Sequence, residues 1–252
     1  MPTRRRSRPA PLLANRRTPC DPAGMPFYPM VATGAVVLGV DSGPSLGGSC
    51  AGYVHHHTFI TAAHCVPEGL EVFVDMPTEP APRRVERIER HPTADLAVLI
   101  AERLDSDDQT FPLLYQPPPK GLIDGGTFIG FGYPVEGSGG PMPVGRLFRG
   151  HFQRYFGYTP PGAKESYFAG EMSIPAPAGF SGGPLAYDSQ PQSLVAIVTT
   201  NHDSWAVVDR IEEVEKDGLR YREEVRRVIS YGIAAILSQP VVDWLTDCIA
   251  QQ

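Results

Sequence analysis

Apolar residues along this chain arrive in short bursts rather than at helical intervals. Val31–Val40, Cys50–Val54 and Thr58–Thr61 are rich in β-branched and aromatic side chains, with turn formers between them. Runs of this length, bounded by Gly, Ser and Pro, predict strands. The pattern recurs at Leu70–Val74, Arg84–Ile88 and Leu96–Ile100. It resumes at Gly126–Tyr133, Gly145–Phe156, Ser166–Glu171, Leu185–Tyr187 and Leu194–Thr200. Asp41–Gly48 reads as a Gly/Ser/Pro turn between the first two runs. Gln116–Gly121 is the one internal stretch that reads as a linker, and it splits the body into two β-rich halves. The expected organisation is a basic tail over 1–29, an N-terminal half over 30–118 and a C-terminal half over 119–252.

Two later segments depart from this rhythm. Asp203–Ser230 is dense in charge, and Asp217-Gly218 inside it is a two-residue hairpin signal. Folding about that pair sets Glu215 opposite Arg220 and Glu213 opposite Arg222, with Val214 facing Tyr221. A strand through Tyr231–Leu237 is expected next. The amphipathic run Val241–Ile249 follows Ser238-Gln239-Pro240, which predicts a C-terminal helix with Ser238 as N-cap.

Composition supports the all-β reading. The 252 residues include 27 prolines and 26 glycines, spread along the chain rather than confined to one tract. No fixed-period repeat and no apolar run long enough to span a bilayer occurs. The net charge of −6 conceals an asymmetry, because residues 1–24 hold six arginines against Asp21. A Pro/Arg-rich stretch with so few large apolar residues cannot offset the entropy of ordering, so disorder is expected there. It is weak evidence for a nucleic-acid-binding arm. It also lacks the apolar core of an export signal. The four cysteines, Cys20, Cys50, Cys65 and Cys248, are compatible with two disulfides or with four thiols, and they leave the compartment open.

Candidate chemistry lies in three segments. Thr61-Ala62-Ala63-His64-Cys65 puts a histidine at the end of a strand, and Asp95 stands at the mouth of the apolar run Leu96–Leu99. Gly179-Phe180-Ser181-Gly182-Gly183 encloses a serine in glycines. A serine hydroxyl is a poor nucleophile near neutrality and needs a base beside it. Histidine suits that role, and a carboxylate on its far ring nitrogen fixes the tautomer. Glycines around the serine let two N–H groups reach a developing oxyanion, and Gly179 and Ser181 are the expected donors. The triple His55-His56-His57 has metal-ligand residue types, but consecutive histidines in a turn point apart, so a solvent-facing turn is expected. No metal site and no cofactor is called for.

Together these segments resemble the chymotrypsin/trypsin-like serine peptidases, over roughly residues 30–250. The resemblance implies two packed six-stranded antiparallel β-barrels, a trypsin-like double barrel, with a His64–Asp95–Ser181 triad and peptide substrates. Ser49-Cys50 before Thr61–Cys65 matches the family's half-site and implies a Cys50–Cys65 disulfide. The His–Asp spacing resembles compact bacterial trypsin-like and HtrA-like enzymes, with no room for a PDZ domain. Digestive members carry an acid immediately before the nucleophile. Phe180 stands there instead, so activation through a new amino terminus is not expected.

Specificity follows from the same comparison. The pocket floor implied by the resemblance is Pro175, with Ala176 beside it and Thr199, Thr200 and Asn201 opposite. The strand around Gly232-Ile233-Ala234 is expected to complete the walls. The window Met172–Ala178 has no ionisable group, so uncharged side chains such as Val, Ala, Leu or Met are expected before the cut. A catalytically silent binding module with the same fold is the competing class; nothing in the triad segments has been replaced to favour it. Esterase chemistry with the same three residues is a further alternative.

Overall fold

The computed structural model describes residues 32–40, 43–104, 113–115, 125–134, 145–216 and 219–251, with 40, 43–50, 205–216 and 219–226 described by backbone alone. Six strands form a closed barrel in the order β1-β2-β3-β6-β5-β4. They are β1 (Thr33–Val40), β2 (Gly43–His55), β3 (Thr58–Thr61), β4 (Glu71–Asp75), β5 (Arg83–Arg90) and β6 (Ala97–Ala101). β3 and β6 are buried along their whole length, which is why their sequences run apolar or Thr without alternation. β4 alternates instead, turning Val72 and Val74 inward and leaving Glu71 outside.

The remaining strands form a second sheet. These are β7 (Leu114–Tyr115), β8 (Thr127–Gly132), β9 (Arg146–Tyr158), β10 (Tyr167–Met172), β11 (Pro184–Tyr187), β12 (Gln190–Lys216) and β13 (Leu219–Ile236). The sheet order is β11-β8-β9-β10-β13-β12-β7, and a further β11–β12 pairing joins six of the strands into a ring. β7 runs parallel to β12, opposite Ser193 and Leu194. Its two residues were missed as a strand because a pair is too short to show any period.

The all-β architecture expected from the sequence is present, with differences in detail. Asp41–Gly48 is not one turn: β1 and β2 pair as far as Val40 opposite Gly43. The ladder slips between Val36 opposite Ser49 and Val37 opposite Leu46, which leaves Gly47 and Gly48 as the extra residues of a bulge. Glycines that read as a turn are thus spent on an irregularity inside a strand pair. The charged segment is a hairpin with Lys216 opposite Leu219, and its turn at 217–218 lies outside the described residues. Its register differs from expectation by one. Val214 faces Arg220, Glu213 faces Tyr221 and Glu212 faces Arg222, because the register shifts between Val214 and Lys216. One extra residue in one strand moves every later side chain to the other face. The hairpin arms are also continuous with the sheet, so Leu194–Thr200 and Tyr231–Leu237 belong to the long strands β12 and β13.

The helix α1 (Gln239–Ala250) closes the chain. Ser238 has the extended backbone of an N-cap and its carbonyl accepts from Val242 N–H at 3.0 Å, but its hydroxyl makes no capping bond. Val241, Val242, Leu245 and Cys248 form its buried stripe. They join one apolar cluster with Leu96, Val98 and Val66 of the first barrel and Leu194 and Ile197 of β12. Each such aliphatic side chain, fully buried, contributes roughly 1.5–3 kcal/mol. The C-terminal helix therefore ties the two sheets together. No helix among the described residues is long and apolar enough to cross a membrane. The expected tail (1–29) and linker (116–121) lie outside the described residues.

Candidate active site

His64 and Asp95 are brought together by one strand pair. Thr61 at the end of β3 lies opposite Ala97 at the start of β6. His64 follows on the short 3-10 turn Ala63–Cys65, and Asp95 precedes Ala97, so both project from the same edge of the barrel. Asp95 Oδ2 is 2.6 Å from His64 Nδ1, while its Oδ1 accepts the His64 backbone N–H at 3.0 Å. The carboxylate thus holds ring and main chain at once. These contacts push the His64 pKa up to about 10, through the Asp95 bond first and the neighbouring Cys65 thiol second, against the opposing effect of burial.

A second histidine shapes the turn that carries Asp95. His91 Nδ1 accepts the backbone N–H groups of Thr93 at 3.2 Å and Ala94 at 3.0 Å, and His91 N–H donates to Leu96 O at 2.9 Å. Its ring meets Trp244 of α1 edge-on, with centroids 4.9 Å apart. Burial lowers the His91 pKa and favours the neutral ring, whose Nδ1 lone pair this turn requires. Sequence reasoning passed over His91. Its signal was the His91-Pro92 pair just before Asp95, where Pro ends a strand.

Ser181 comes from the second sheet. Gly179 and Gly182 flank its dipeptide with φ of +85° and +79°, a left-handed backbone open at low cost only to glycine. Phe180 is fully buried and packs against Phe148, the rings tilted by 49° with centroids 3.9 Å apart. Phe180 N–H donates to Pro177 O, Gly183 N–H to Phe180 O, and Gly182 N–H to Val198 O of β12. The Ser181 N–H takes part in none of the backbone bonds that pin this loop. The Ser181 hydroxyl donates to Thr199 O at 3.3 Å and makes no bond to His64. Thr199 is itself fixed: its hydroxyl donates to Ile233 O and accepts from Tyr167, whose burial raises its pKa and keeps it a donor.

His64, Asp95 and Ser181 all line one open cleft of about 660 Å³. Ala176, Thr199, Thr200 and Asn201 also face it. Pro175 does not. It is exposed and lies off the cleft lining, while Ala176 next to it is buried and faces inward. Ile233 and Ala234 are fully buried in the cores and do not reach the cleft either.

Cys65 is a buried free thiol whose Sγ lies 3.6 Å from His64 Nε2. The Cys50–Cys65 disulfide implied by the resemblance is therefore not formed; the Cys65 sulfur faces the imidazole instead. Cys248 is likewise a buried free thiol, on α1. His55 to His57 form the turn between β2 and β3, with His56 at φ +34° and all three half-buried rather than fully in solvent. No group of three or more metal-ligating side chains is assembled among the described residues.

Several solved structures share this architecture. The active form of the Rv3671c protease from M. tuberculosis superposes with a TM-score of 0.57 at 17% identity, covering 90% of this chain and 89% of that one. HL collagenase gives 0.56 at 14% identity, covering 89% and 95%. The thermostable serine protease AL20 from an extremophilic microorganism gives 0.52 at 13%, covering 83% and 92%. Likeness at such low identity speaks for the fold. No curated protein sequence matches the chain. Residues 48–197, more than half of the sequence, match the family model of the trypsin-like peptidase domain, and the chain belongs to that family as a serine-type endopeptidase.

Proposed function

We propose that the chain cleaves peptide bonds through an acyl-enzyme, with His64, Asp95 and Ser181 as its catalytic triad. The observation that carries this is the two-point grip of Asp95 on His64 in the same cleft as Ser181. In this reading His64 Nε2 takes the Ser181 proton as Oγ attacks the peptide carbonyl. The N–H groups of Gly179 and Ser181 receive the oxyanion. His64 then gives its proton to the leaving amine as the C–N bond breaks and the acyl-enzyme forms. Water, deprotonated by the same nitrogen, releases the acid and restores the hydroxyl.

Before attack, the Ser181 hydroxyl must leave Thr199 O and donate to His64 Nε2, which the Cys65 sulfur faces at 3.6 Å. Such bonds are often long or misaligned until substrate binds. The cleft beside Ser181 is walled by Ala176, Thr199, Thr200 and Asn201 without a charge. A lysine or arginine there would lose hydration with no partner, so uncharged side chains before the cut are favoured.

Labelling by a fluorophosphonate probe tests the assignment. The native chain should label and hydrolyse peptides, whereas Ser181→Ala should do neither. Labelling that persists in Ser181→Ala moves the nucleophile elsewhere.

A further inference from the structure

We infer that Asn201 is a bar across the slot beside Ser181, restricting the residue before the cut to small side chains, alanine above all. This deepens the uncharged-pocket reading and rests on it. The slot lies between residues 176–178 and residues 199–201, and the Asn201 amide spans the two. Its Oδ1 accepts the Ala176 N–H at 2.7 Å and its Nδ2 donates to the Ala176 carbonyl at 2.8 Å. Donor and acceptor are fixed by this pairing, so only one amide orientation satisfies both bonds. Ala176 is buried, which makes both of its main-chain groups costly to leave unpaired.

Behind the bar there is no reserve of space. Gly232 N–H donates to Ile174 O at 2.9 Å and stitches the chain just before Ala176 to β13. A Cβ on Gly232 would meet that oxygen at 2.9 Å and the Met172 sulfur at 3.0 Å. Met172 is fully buried and occupies the room a deep pocket would use. The cleft lining accordingly reaches Ala176 and Asn201 but neither Met172 nor Gly232. A methyl group fits against such a bar. Leucine, methionine or phenylalanine must displace the amide and strand both groups of Ala176, or force Met172 into a close-packed core.

The test is kcat/KM for peptides that differ only in the residue before the cut, with Ala, Val, Leu, Met, Phe, Lys and Arg in turn. For the full native chain, Ala should exceed Leu, Met and Phe by about 10-fold or more, a methylene-scale discrimination. Asn201→Gly should shrink that ratio by about 10-fold, and Asn201→Ala by less, each checked for folding by its melting and by probe labelling of Ser181. A native profile led by Leu, Met or Phe overturns the bar while leaving the uncharged pocket intact. One led by Lys or Arg overturns both. An unchanged Ala-to-Leu ratio in folded Asn201→Gly also overturns the bar. Should neither variant fold, the native profile alone decides.

Discussion

The two halves of the site differ in how complete they are. In the first barrel, His64 and Asp95 sit at the ends of the paired strands β3 and β6 and already hold each other at 2.6 Å and 3.0 Å. In the second sheet, the Ser181 loop is anchored by backbone bonds, yet its hydroxyl faces Thr199 O of β12 in the same sheet. A contact within one barrel is set by a ladder register and comes with the fold. A contact between two sheets depends on how side chains from each turn, and here the Ser181 hydroxyl turns to a local carbonyl while His64 Nε2 faces the Cys65 sulfur. The second half is built but not engaged.

The strongest way to break this contrast is to remove one residue from each half. His64→Ala and Ser181→Ala should each lower kcat by about 10⁶, and the double variant should be scarcely worse, if the two act as the one proton-transfer unit proposed above. Single-turnover peptide hydrolysis measures this. Losses that multiply would mean that the halves contribute separately.

Asp95→Asn probes the preformed half alone and should cost about 10⁴ in kcat, since the amide favours the wrong histidine tautomer. It should also move the pH profile. With a pKa near 10, His64 is mostly protonated at neutrality and acts as a base only as that proton leaves. The native kcat/KM should therefore climb about tenfold per pH unit from neutrality towards pH 10, a free-enzyme titration. Asp95→Asn removes the largest cause of the raised pKa, so its basic limb should fall towards the ordinary histidine range. Cys65→Ala removes the second cause and should shift the limb in the same direction by less. A native profile flat from pH 7 to 10 contradicts the raised value.

The smallest effects sharpen the contrast in stability. In the first barrel, Arg83 and Glu79 form an ion pair exposed by only 1% and 5% of their side chains, with the guanidinium over the Phe59 ring. Arg83→Ala would strand Glu79 and should cost about 3–5 kcal/mol in urea unfolding. In the second sheet, Arg154 pairs with Glu171 at 2.7 Å but is itself 55% exposed. Water reaches the guanidinium but not the Glu171 carboxylate, which is only 8% exposed, so Arg154→Ala should cost more than a surface pair's ~1 kcal/mol and less than Arg83→Ala. Equal losses in the two variants would show that burial does not set the difference.

Local pattern determined much of this protein by itself. Strand-length apolar runs such as Thr58–Thr61 and Leu96–Ile100 fix their own β structure, because burial on both faces leaves no other use for them. The glycine-enclosed serine at 181, and a histidine and an acid at two strand ends, were equally legible, since each depends on a few neighbouring residues. Tertiary structure alone decided the rest. The residue displaced between Val214 and Lys216 cannot be read from alternation, because charged residues stand at odd and even positions alike in that segment of the sequence. Pro175 turned outward and Ala176 inward because the Asn201 amide, 25 residues along the chain, claims the Ala176 main chain. Cys65 faces His64 rather than another sulfur, and the Ser181 hydroxyl faces Thr199. Each of these outcomes is a competition between partners far apart in sequence, and only packing brings the competitors within reach.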